Sequence, residues 1–250
     1  MRASTSFLLA FSGKDADGSW IKSGGDNPRI KSGGDNPRIK SGAGHDCGEW
    51  FNMTGTRSNS PRRLIIGISG ASGTVYGIRM LELLYDTDIE THLVMSRSAE
   101  MTLAYETDLK PKDIRALAKV NYSNADIGAS ISSGSFHTIG MAVMPCSIKT
   151  MSEIATGVTS SLLSRAADVV LKERRRLVLA VRETPLHGGH LRTMTQLADM
   201  GAIVAPIMPA FYNRPKTIDD IINHTVGRLL DLFGIENKAV KRWEGGPAEE

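Results

Sequence analysis

The sequence predicts an α/β fold in which a doubly wound parallel sheet forms a single domain. Short apolar runs alternate with helical patterns from Leu64 onward. These runs lack strict alternation of apolar and polar residues, which is typical of strands covered on both faces. A glycine-spaced turn, Gly67–Gly73, separates the first strand from the first helix. Because such sheets bind ligands at the carboxyl ends of their strands, we expect the functional residues there.

The order of elements indicates a Rossmann or flavodoxin-like arrangement. Strands are predicted at 64–69, 91–95, 140–145, 177–181 and 202–208. Helices are predicted at 74–85, 97–105, 111–119, 149–172 with a break, 188–200 and 217–233. The last helix has the clearest pattern, with a capping box of Thr217 and Asp220 and a stop at Gly234. Its predicted apolar stripe comprises Ile218, Ile221, Ile222, Leu229 and Phe233.

The first part of the chain, residues 1–60, differs from the rest. A nine-residue unit, Ile21–Arg29, repeats unchanged as Ile30–Arg38 and carries one apolar residue. That composition cannot offset the entropy of ordering the segment, so we expect a disordered tail. The folded domain is expected at 61–244, followed by a short C-terminal tail at 245–250.

Composition limits the partners and the compartment. A net charge of +3 over 250 residues is too small to indicate a nucleic-acid partner. No run of about 20 apolar residues predicts a membrane span. Two cysteines, Cys47 and Cys146, suit a reducing compartment. We therefore expect the cytoplasm, or the mitochondrion if Met1–Phe11, which weakly resembles a targeting segment, is a transit peptide.

The glycine-spaced turn is typical of a phosphate-binding loop. Glycines let the backbone approach a ligand, and the first N–H groups of a helix have no intrahelical partner. The spacing is not that of a dinucleotide fingerprint, and the next strand ends in Ser96-Arg97 where that site needs an acid. A mononucleotide such as FMN fits better than NAD.

Polar residues also follow the other predicted strands. They supply hydroxyls, cations, a carboxylate and a phenol to one edge of the sheet, which indicates anion binding with acid–base chemistry. These positions are Ser69–Ser72, Ser96, Cys146–Thr150, Arg182–Glu183 and Pro209–Arg214.

Seven motifs occur in one order along the chain: Gly67–Gly73, Glu106–Asp108, Ser132–Ser135, Pro145–Thr150, Arg165–Arg174, Val181–Pro185 and Pro209–Pro215. Together they closely resemble the UbiX family of flavin prenyltransferases. The resemblance covers residues 63–245.

The resemblance implies a metal-independent transferase that joins the dimethylallyl group of dimethylallyl monophosphate to N5 and C6 of reduced FMN. The product would serve a UbiD-type decarboxylase, and the chain would form a homo-dodecamer with sites between subunits. The resemblance further implies catalytic roles for Glu106, Glu183 and Ser72. The implied FMN-binding residues are Gly70, Ala71, Ser72, Ser96, Ser147, Ile148, Lys149, Thr150 and Arg182.

The resemblance assigns the prenyl phosphate to cationic and phenolic side chains. These are Lys172, Tyr212 and Arg228, with Arg165 nearby. Arg165 and Lys172 are two helical turns apart, so both can face one site. Trp243 matches a family aromatic residue that shields a cation, or it only anchors the C-terminus.

Three other readings of the sequence are less well supported. An FMN-dependent decarboxylase of the peptidyl-cysteine or phosphopantothenoylcysteine type would need a different loop at 145–150 and a histidine within 97–119. A non-catalytic flavin-carrying subunit of a hydroxyarylic acid decarboxylase could dispense with Lys172, Tyr212 and Arg228. His187 and His190 could share a helix face, but no third metal ligand has a matching spacing, so we predict no metal site.

Overall fold

The fold is a single parallel sheet covered by helices in a computed structural model that describes residues 61–240 and residue 242. The strand order is β3-β2-β1-β4-β5-β6. The strands are β1 Arg62–Ile68, β2 Ile89–Met95, β3 Val120–Tyr122, β4 Gly140–Cys146, β5 Arg176–Val181 and β6 Ile203–Val204. The helices are α1 Thr74–Leu84, α2 Arg97–Glu106, α3 Pro111–Ala116, α4 Ile148–Thr156, α5 Leu162–Lys172, α6 Gly188–Asp199 and α7 Ile218–Asp231. The predicted fold class is confirmed.

The centre of the sheet determines where a ligand can bind. β1 pairs in parallel with both β2 and β4, so the chain winds outward to β3 and then crosses back to β4. A doubly wound sheet opens a crevice at such a switch point, outside the carboxyl ends of the strands. The loops after β1 and β4 therefore form the floor of the expected site.

Apolar residues on alternate faces of the strands build one core layer on each side of the sheet. Leu64 and Ile66 contribute to the layer that includes α1 and α7, whereas Ile65 and Val143 contribute to the layer that includes α4 and α5. Gly77 brings α1 close to β4, because a Cβ there would lie 2.4 Å from the carbonyl oxygen of Met144. The sheet is thus rigidly supported beneath the crevice.

Several predicted boundaries needed correction. The short edge strand β3 was missed, and the helix predicted to reach residue 119 ends at Ala116. The predicted strand at 202–208 shrinks to Ile203–Val204, although Ala205 and Ile207 still donate backbone hydrogen bonds to β5. Pro206 lies between them and has no N–H to donate.

The predicted helix break within 149–172 and the predicted capping box of α7 are confirmed, and the predicted apolar stripe of α7 is confirmed in part. The break in 149–172 occurs at Gly157, which has φ +70°, and Ser161 caps the next helix. Thr217 and Asp220 form the predicted capping box of α7. Ile218, however, is 77% exposed and does not belong to the apolar stripe. Residues 1–60, Trp243 and 245–250 lie outside the described residues, so the predictions for them stay predictions.

Candidate active site

A buried serine joins the two loops that form the floor of the crevice. Ser69, at the end of β1, is 0% exposed. Its hydroxyl donates to the carbonyl of Pro145 at 2.9 Å and accepts from the N–H of Ser147 at 2.7 Å. Both loops are therefore held in one fixed arrangement, and Ser69 acts within the structure rather than facing a ligand.

Above these loops lies a cavity of about 450 Å³. It is lined by every residue to which the family resemblance assigns FMN, together with Glu183: Gly70, Ala71, Ser72, Ser96, Ser147, Ile148, Lys149, Thr150 and Arg182. Sheet topology alone brings these residues together, because they follow four different strands whose carboxyl ends share one edge.

The N-termini of α2 and α4 border this cavity. Ser96 caps α2 by accepting from the N–H of Ala99 at 3.1 Å, and Ser147 caps α4 by accepting from the N–H of Thr150 at 3.3 Å. The remaining first N–H groups of each helix lack intrahelical partners, and the helix dipoles add partial positive charge. The cavity is suited to an anionic group such as a phosphate ester.

The close approach of the first loop to α2 requires a glycine. A Cβ at Gly70 would lie 2.3 Å from the Ser98 side chain. Ser98 also contacts the Ser96 hydroxyl, with 3.0 Å between their Oγ atoms. The backbone of Gly70 can thus line the cavity directly, as a glycine-spaced loop predicts.

Sequence reasoning missed five further residues in the cavity wall: Ser98, Asn124, Glu153, Ser161 and Leu163. Ser161 could have been found, because a serine after a helix break is a good N-cap. Asn124 gave no local signal, since it acts across the chain: its Oδ1 accepts from the N–H of Leu163 at 3.0 Å.

Glu106 occupies the N-terminus of α1. Its carboxylate accepts from the N–H of Gly73 at 2.9 and 3.1 Å, from the N–H of Thr74 at 2.9 Å and from the Thr74 hydroxyl at 2.7 Å. The expectation that this helix N-terminus is available for a ligand phosphate was therefore wrong. The anion bound there is a carboxylate of the same chain, and the free helix N-termini are those of α2 and α4.

Hydrogen bonding keeps Glu106 ionised. Burial alone would raise the pKa of this carboxyl, but hydrogen bonds from Ser72, from Thr74 and from the two backbone N–H groups outweigh it and hold the pKa below its usual value. Glu106 is not among the residues that line the cavity, whereas Ser72 is. Ser72 thus connects the cavity to a carboxylate behind it.

Glu183 stands in a different environment. It lines the cavity directly, and its Oε1 accepts from the N–H of Thr184 at 2.9 Å. Its neighbour Arg182 is anchored through its backbone N–H, which donates to the carbonyl of Cys146 at 3.0 Å. The two residues therefore present a cation and a carboxylate side by side.

The four residues assigned to the prenyl phosphate do not line this cavity in the described chain. Three of them pair with acids: Lys172 with Glu173, Arg165 with Asp168 at 2.7 Å, and Arg228 with Asp231 at 2.7 Å. The hydroxyl of Tyr212 lies 3.1 Å from Nε2 of His224.

The direction of the helices explains this separation. Helix α5 begins at the cavity and ends at Lys172, and 11 residues of helix span about 16 Å. Helix α7 likewise ends beside the start of β5, where Arg176 donates to the carbonyl of Leu232. Lys172 and Arg228 thus lie toward the opposite edge of the sheet, and the expectation that Arg165 and Lys172 face one prenyl-phosphate site stays a prediction.

The histidine pair contributes to a helix start. His187 caps α6, and its Nδ1 accepts from the N–H groups of Gly189 and His190 at 3.0 and 3.3 Å. Across the residues that the structure describes, no group of three or more His, Cys, Asp or Glu residues is arranged to hold a metal ion. Burial raises the pKa of the Cys146 thiol to about 12, so this cysteine is an unreactive core residue.

Comparisons with known proteins identify the family. The Flavoprotein family model matches residues 53–230. A curated flavin prenyltransferase UbiX from Escherichia coli strain K12 is 60% identical over 187 residues, which cover 74% of this chain and 99% of the relative. The chain belongs to the UbiX flavin prenyltransferase family. It is an enzyme of the transferase class.

Two solved structures of this family are also similar. The crystal structure of AnUbiX in complex with FMN and dimethylallyl pyrophosphate has a TM-score of 0.74 and 48% identity, and covers 75% of this chain and 100% of its own. A dodecameric FMN-dependent UbiX-like decarboxylase from Escherichia coli O157:H7 has a TM-score of 0.72 and 49% identity, and covers 73% and 100%. None of the helices in the described residues is long and apolar enough to cross a membrane.

Proposed function

We propose that this chain transfers the dimethylallyl group of dimethylallyl monophosphate to N5 and C6 of reduced FMN. The observation that carries this proposal is the cavity of about 450 Å³ at the switch point of the sheet. It gathers all residues assigned to FMN together with Glu183, and it connects through Ser72 to Glu106.

The cavity fits FMN in size and chemistry. Its volume of about 450 Å³ lies within the range of small-molecule sites, roughly 300–1,000 Å³. The N-termini of α2 and α4 are suited to the phosphate ester, and the backbone of Gly70 and Ala71 allows close contact. Reduced FMN supplies the electron-rich N5 and C6 atoms to which the prenyl group is joined.

We assign the prenyl phosphate to Lys172, Tyr212, Arg228 and Arg165 of neighbouring copies of the chain. Breaking an allylic C–O bond leaves a phosphate dianion, which fixed cations and a phenol stabilise. Because these residues do not line the cavity of their own chain, a neighbour must supply them. The dodecameric relative supports a homo-dodecamer, in which neighbouring copies are available to supply these residues.

Mixing two impaired variants tests whether the site is shared between subunits. Arg182→Ala removes a cation from the cavity. Arg228→Ala removes a cation from the set of residues that we assign to the prenyl phosphate. If the site is shared, co-assembled subunits contain some cavities with neither defect, so activity returns. Homogeneous assemblies of each variant serve as controls. Failure of co-assembled subunits to recover any activity would place both arginines in the cavity of one chain.

The two glutamates have different proposed roles because their surroundings differ. The lowered pKa of Glu106 makes it a poor proton acceptor at neutral pH, so its carboxylate orients the Ser72 hydroxyl toward the cavity. Glu183 lines the cavity and receives one backbone hydrogen bond on Oε1, which leaves Oε2 to accept a proton. Bond formation releases one proton each from N5 and C6, and the prenyl double bond takes one up when C6 adds to it. We assign the C6 proton, whose loss restores aromaticity, to Glu183, and the remaining net proton to the departing phosphate.

The product is proposed to serve a UbiD-type decarboxylase in the cytoplasm. The curated relative from strain K12 is bacterial, and the comparisons give no support to the mitochondrial alternative. The runner-up function is direct decarboxylation with ordinary FMN, since one similar structure is described as a decarboxylase.

A coupled assay separates these two functions. The purified chain is supplied with FMN, a reductant, dimethylallyl monophosphate and a hydroxyaryl acid, with or without a UbiD-type apoenzyme. We expect CO₂ only when both proteins and the prenyl phosphate are present. CO₂ release by this chain alone would favour the runner-up.

A further inference from the structure

A buried threonine holds the Glu106 carboxylate in one orientation. Thr74, the first residue of α1, is 1% exposed and does not line the cavity. Its hydroxyl donates to Oε2 of Glu106 at 2.7 Å, the shortest of the hydrogen bonds measured to this carboxylate. We infer that Thr74 is a positioning residue for prenyl transfer, an inference that rests on the role proposed for Glu106.

The two carboxylate oxygens are not equivalent in this arrangement. Oε2 accepts from the N–H of Gly73, the N–H of Thr74 and the Thr74 hydroxyl, whereas Oε1 shares the N–H of Gly73. An ionised carboxylate offers about two acceptor sites on each oxygen, so Oε2 is saturated and Oε1 retains capacity. The Ser72 hydroxyl is therefore expected to bond to Oε1.

The asymmetry comes from the two Thr74 donors, which both contact Oε2 alone, and the hydroxyl makes the shorter contact, at 2.7 Å against 2.9 Å for the N–H. The N–H of Gly73 contacts both oxygens almost equally, at 2.9 and 3.1 Å, so it does not select between them. The terminal torsion of a glutamate is broad, which means that the carboxylate turns easily unless its oxygens are held. Loss of the Thr74 hydroxyl leaves the Thr74 N–H as the one donor that selects Oε2, so the carboxylate should turn more freely and hold Ser72 less firmly, while the two backbone donors still cap the helix.

Two substitutions separate positioning from a purely structural role. Thr74→Val removes the hydroxyl with little change of shape, and Thr74→Ser retains it. For the valine variant we expect kcat to fall by about tenfold, with the KM for dimethylallyl monophosphate within about twofold of the original value. A hydrogen bond to a charged group shifts a pKa by roughly one to two units, so the acidic limb of the kcat–pH profile should move upward by about one unit. Thr74→Ser should restore both quantities.

A double-mutant cycle of Thr74 and Glu106, measured by thermal unfolding of the full chain, provides a second readout that does not depend on catalysis. Thr74→Val should lower the midpoint of thermal unfolding more in the original chain than in the Glu106→Gln background, because the two groups are coupled. Equal decreases in both backgrounds, or a pH profile unchanged by Thr74→Val, would overturn the inference. Failure of the original chain to form prenylated product would instead reject the proposed function, while the cycle would still report on the contact.

Discussion

Replacing Glu106 by Gln tests the proposed division of roles between the two glutamates. The amide has nearly the shape of the carboxylate, so its oxygen can still accept the three hydrogen bonds now made to Oε2. The NH₂ group then stands at the position of Oε1. There it faces the Gly73 N–H as a second donor, and it can no longer accept from Ser72. The substitution therefore removes the orienting acceptor without emptying the cavity.

The structural cost of this change is moderate. A charge-assisted hydrogen bond is worth about 1 kcal/mol more than a neutral one, and three such bonds become neutral. Solvent screening of the exposed Glu106 side chain reduces the total to about 1–2 kcal/mol. For a domain of this size the unfolding midpoint should fall by roughly 2–8 °C. Cavity formation and FMN affinity should survive this loss.

The effect on turnover should be much larger. We expect the rate of prenylated-flavin formation to fall by about 10² to 10⁴, the usual contribution of a positioned proton-transfer network. Rapid-quench single-turnover experiments under anaerobic conditions measure this rate, and titration calorimetry measures FMN affinity. Glu82→Gln is a matched control, because Glu82 pairs with Arg79 on the surface of α1 and should leave the rate unchanged. A Glu106→Gln rate within threefold of the original, or a parallel loss of FMN binding, would refute the reasoning.

The pH dependence of stability provides a second test of the Glu106→Gln prediction. The pKa of Glu106 is lower in the folded chain than its usual value, so its stabilising effect is present above the unfolded pKa. That effect is lost as the pH falls through the folded pKa. Glu106→Gln should therefore flatten the decrease of the unfolding midpoint below about pH 4.5. An unchanged decrease would show that the carboxylate is not held by these donors.

Three further predictions follow from the same geometry. Ser69→Ala should destabilise the chain by about 1–3 kcal/mol and weaken FMN binding, because it leaves the N–H of Ser147 without its partner; chemical denaturation and FMN titration check this. Arg228→Ala should spare FMN binding and lower kcat/KM for the prenyl phosphate by about 10- to 150-fold, from about 1.5–3 kcal/mol for a charge-assisted contact. Arg242→Ala, which removes the other arginine paired with Asp231, should leave kcat/KM unchanged. Loss of FMN binding in Arg228→Ala with normal prenyl-phosphate kinetics would reverse the two assignments. Deletion of residues 1–60 should leave oligomer size and FMN binding unchanged in light scattering and titration, and loss of assembly would contradict the expected tail.

The sequence predicts the sheet and the cavity because both depend on local patterns. Apolar runs locate the buried strands, and parallel topology then brings their polar ends together without any long-range information. Strand β3 was not predicted, since Val120–Tyr122 is too short to show a pattern of apolar and polar residues and forms at a sheet edge. The capping of α1 by Glu106 was not predicted either, because Thr74 and Gly73 lie 32 and 33 residues from Glu106 in the sequence.

The prenyl-phosphate residues illustrate a different limit. Spacing of seven residues correctly places Arg165 and Lys172 on one helix face, but it does not reveal at which edge of the sheet each lies. Helix direction decides that question, and it carries Lys172 away from the cavity of its own chain. The assembly that would reunite these groups is a property of several copies, which local patterns in one chain do not encode.

The most direct test of the account is the reaction itself. The purified chain is incubated anaerobically with reduced FMN and dimethylallyl monophosphate, and the flavin is then analysed by mass spectrometry. We predict a flavin enlarged by one five-carbon unit, with release of one phosphate for each flavin converted. Recovery of unmodified FMN, with the prenyl phosphate intact and CO₂ released from a hydroxyaryl acid by this chain alone, would contradict it.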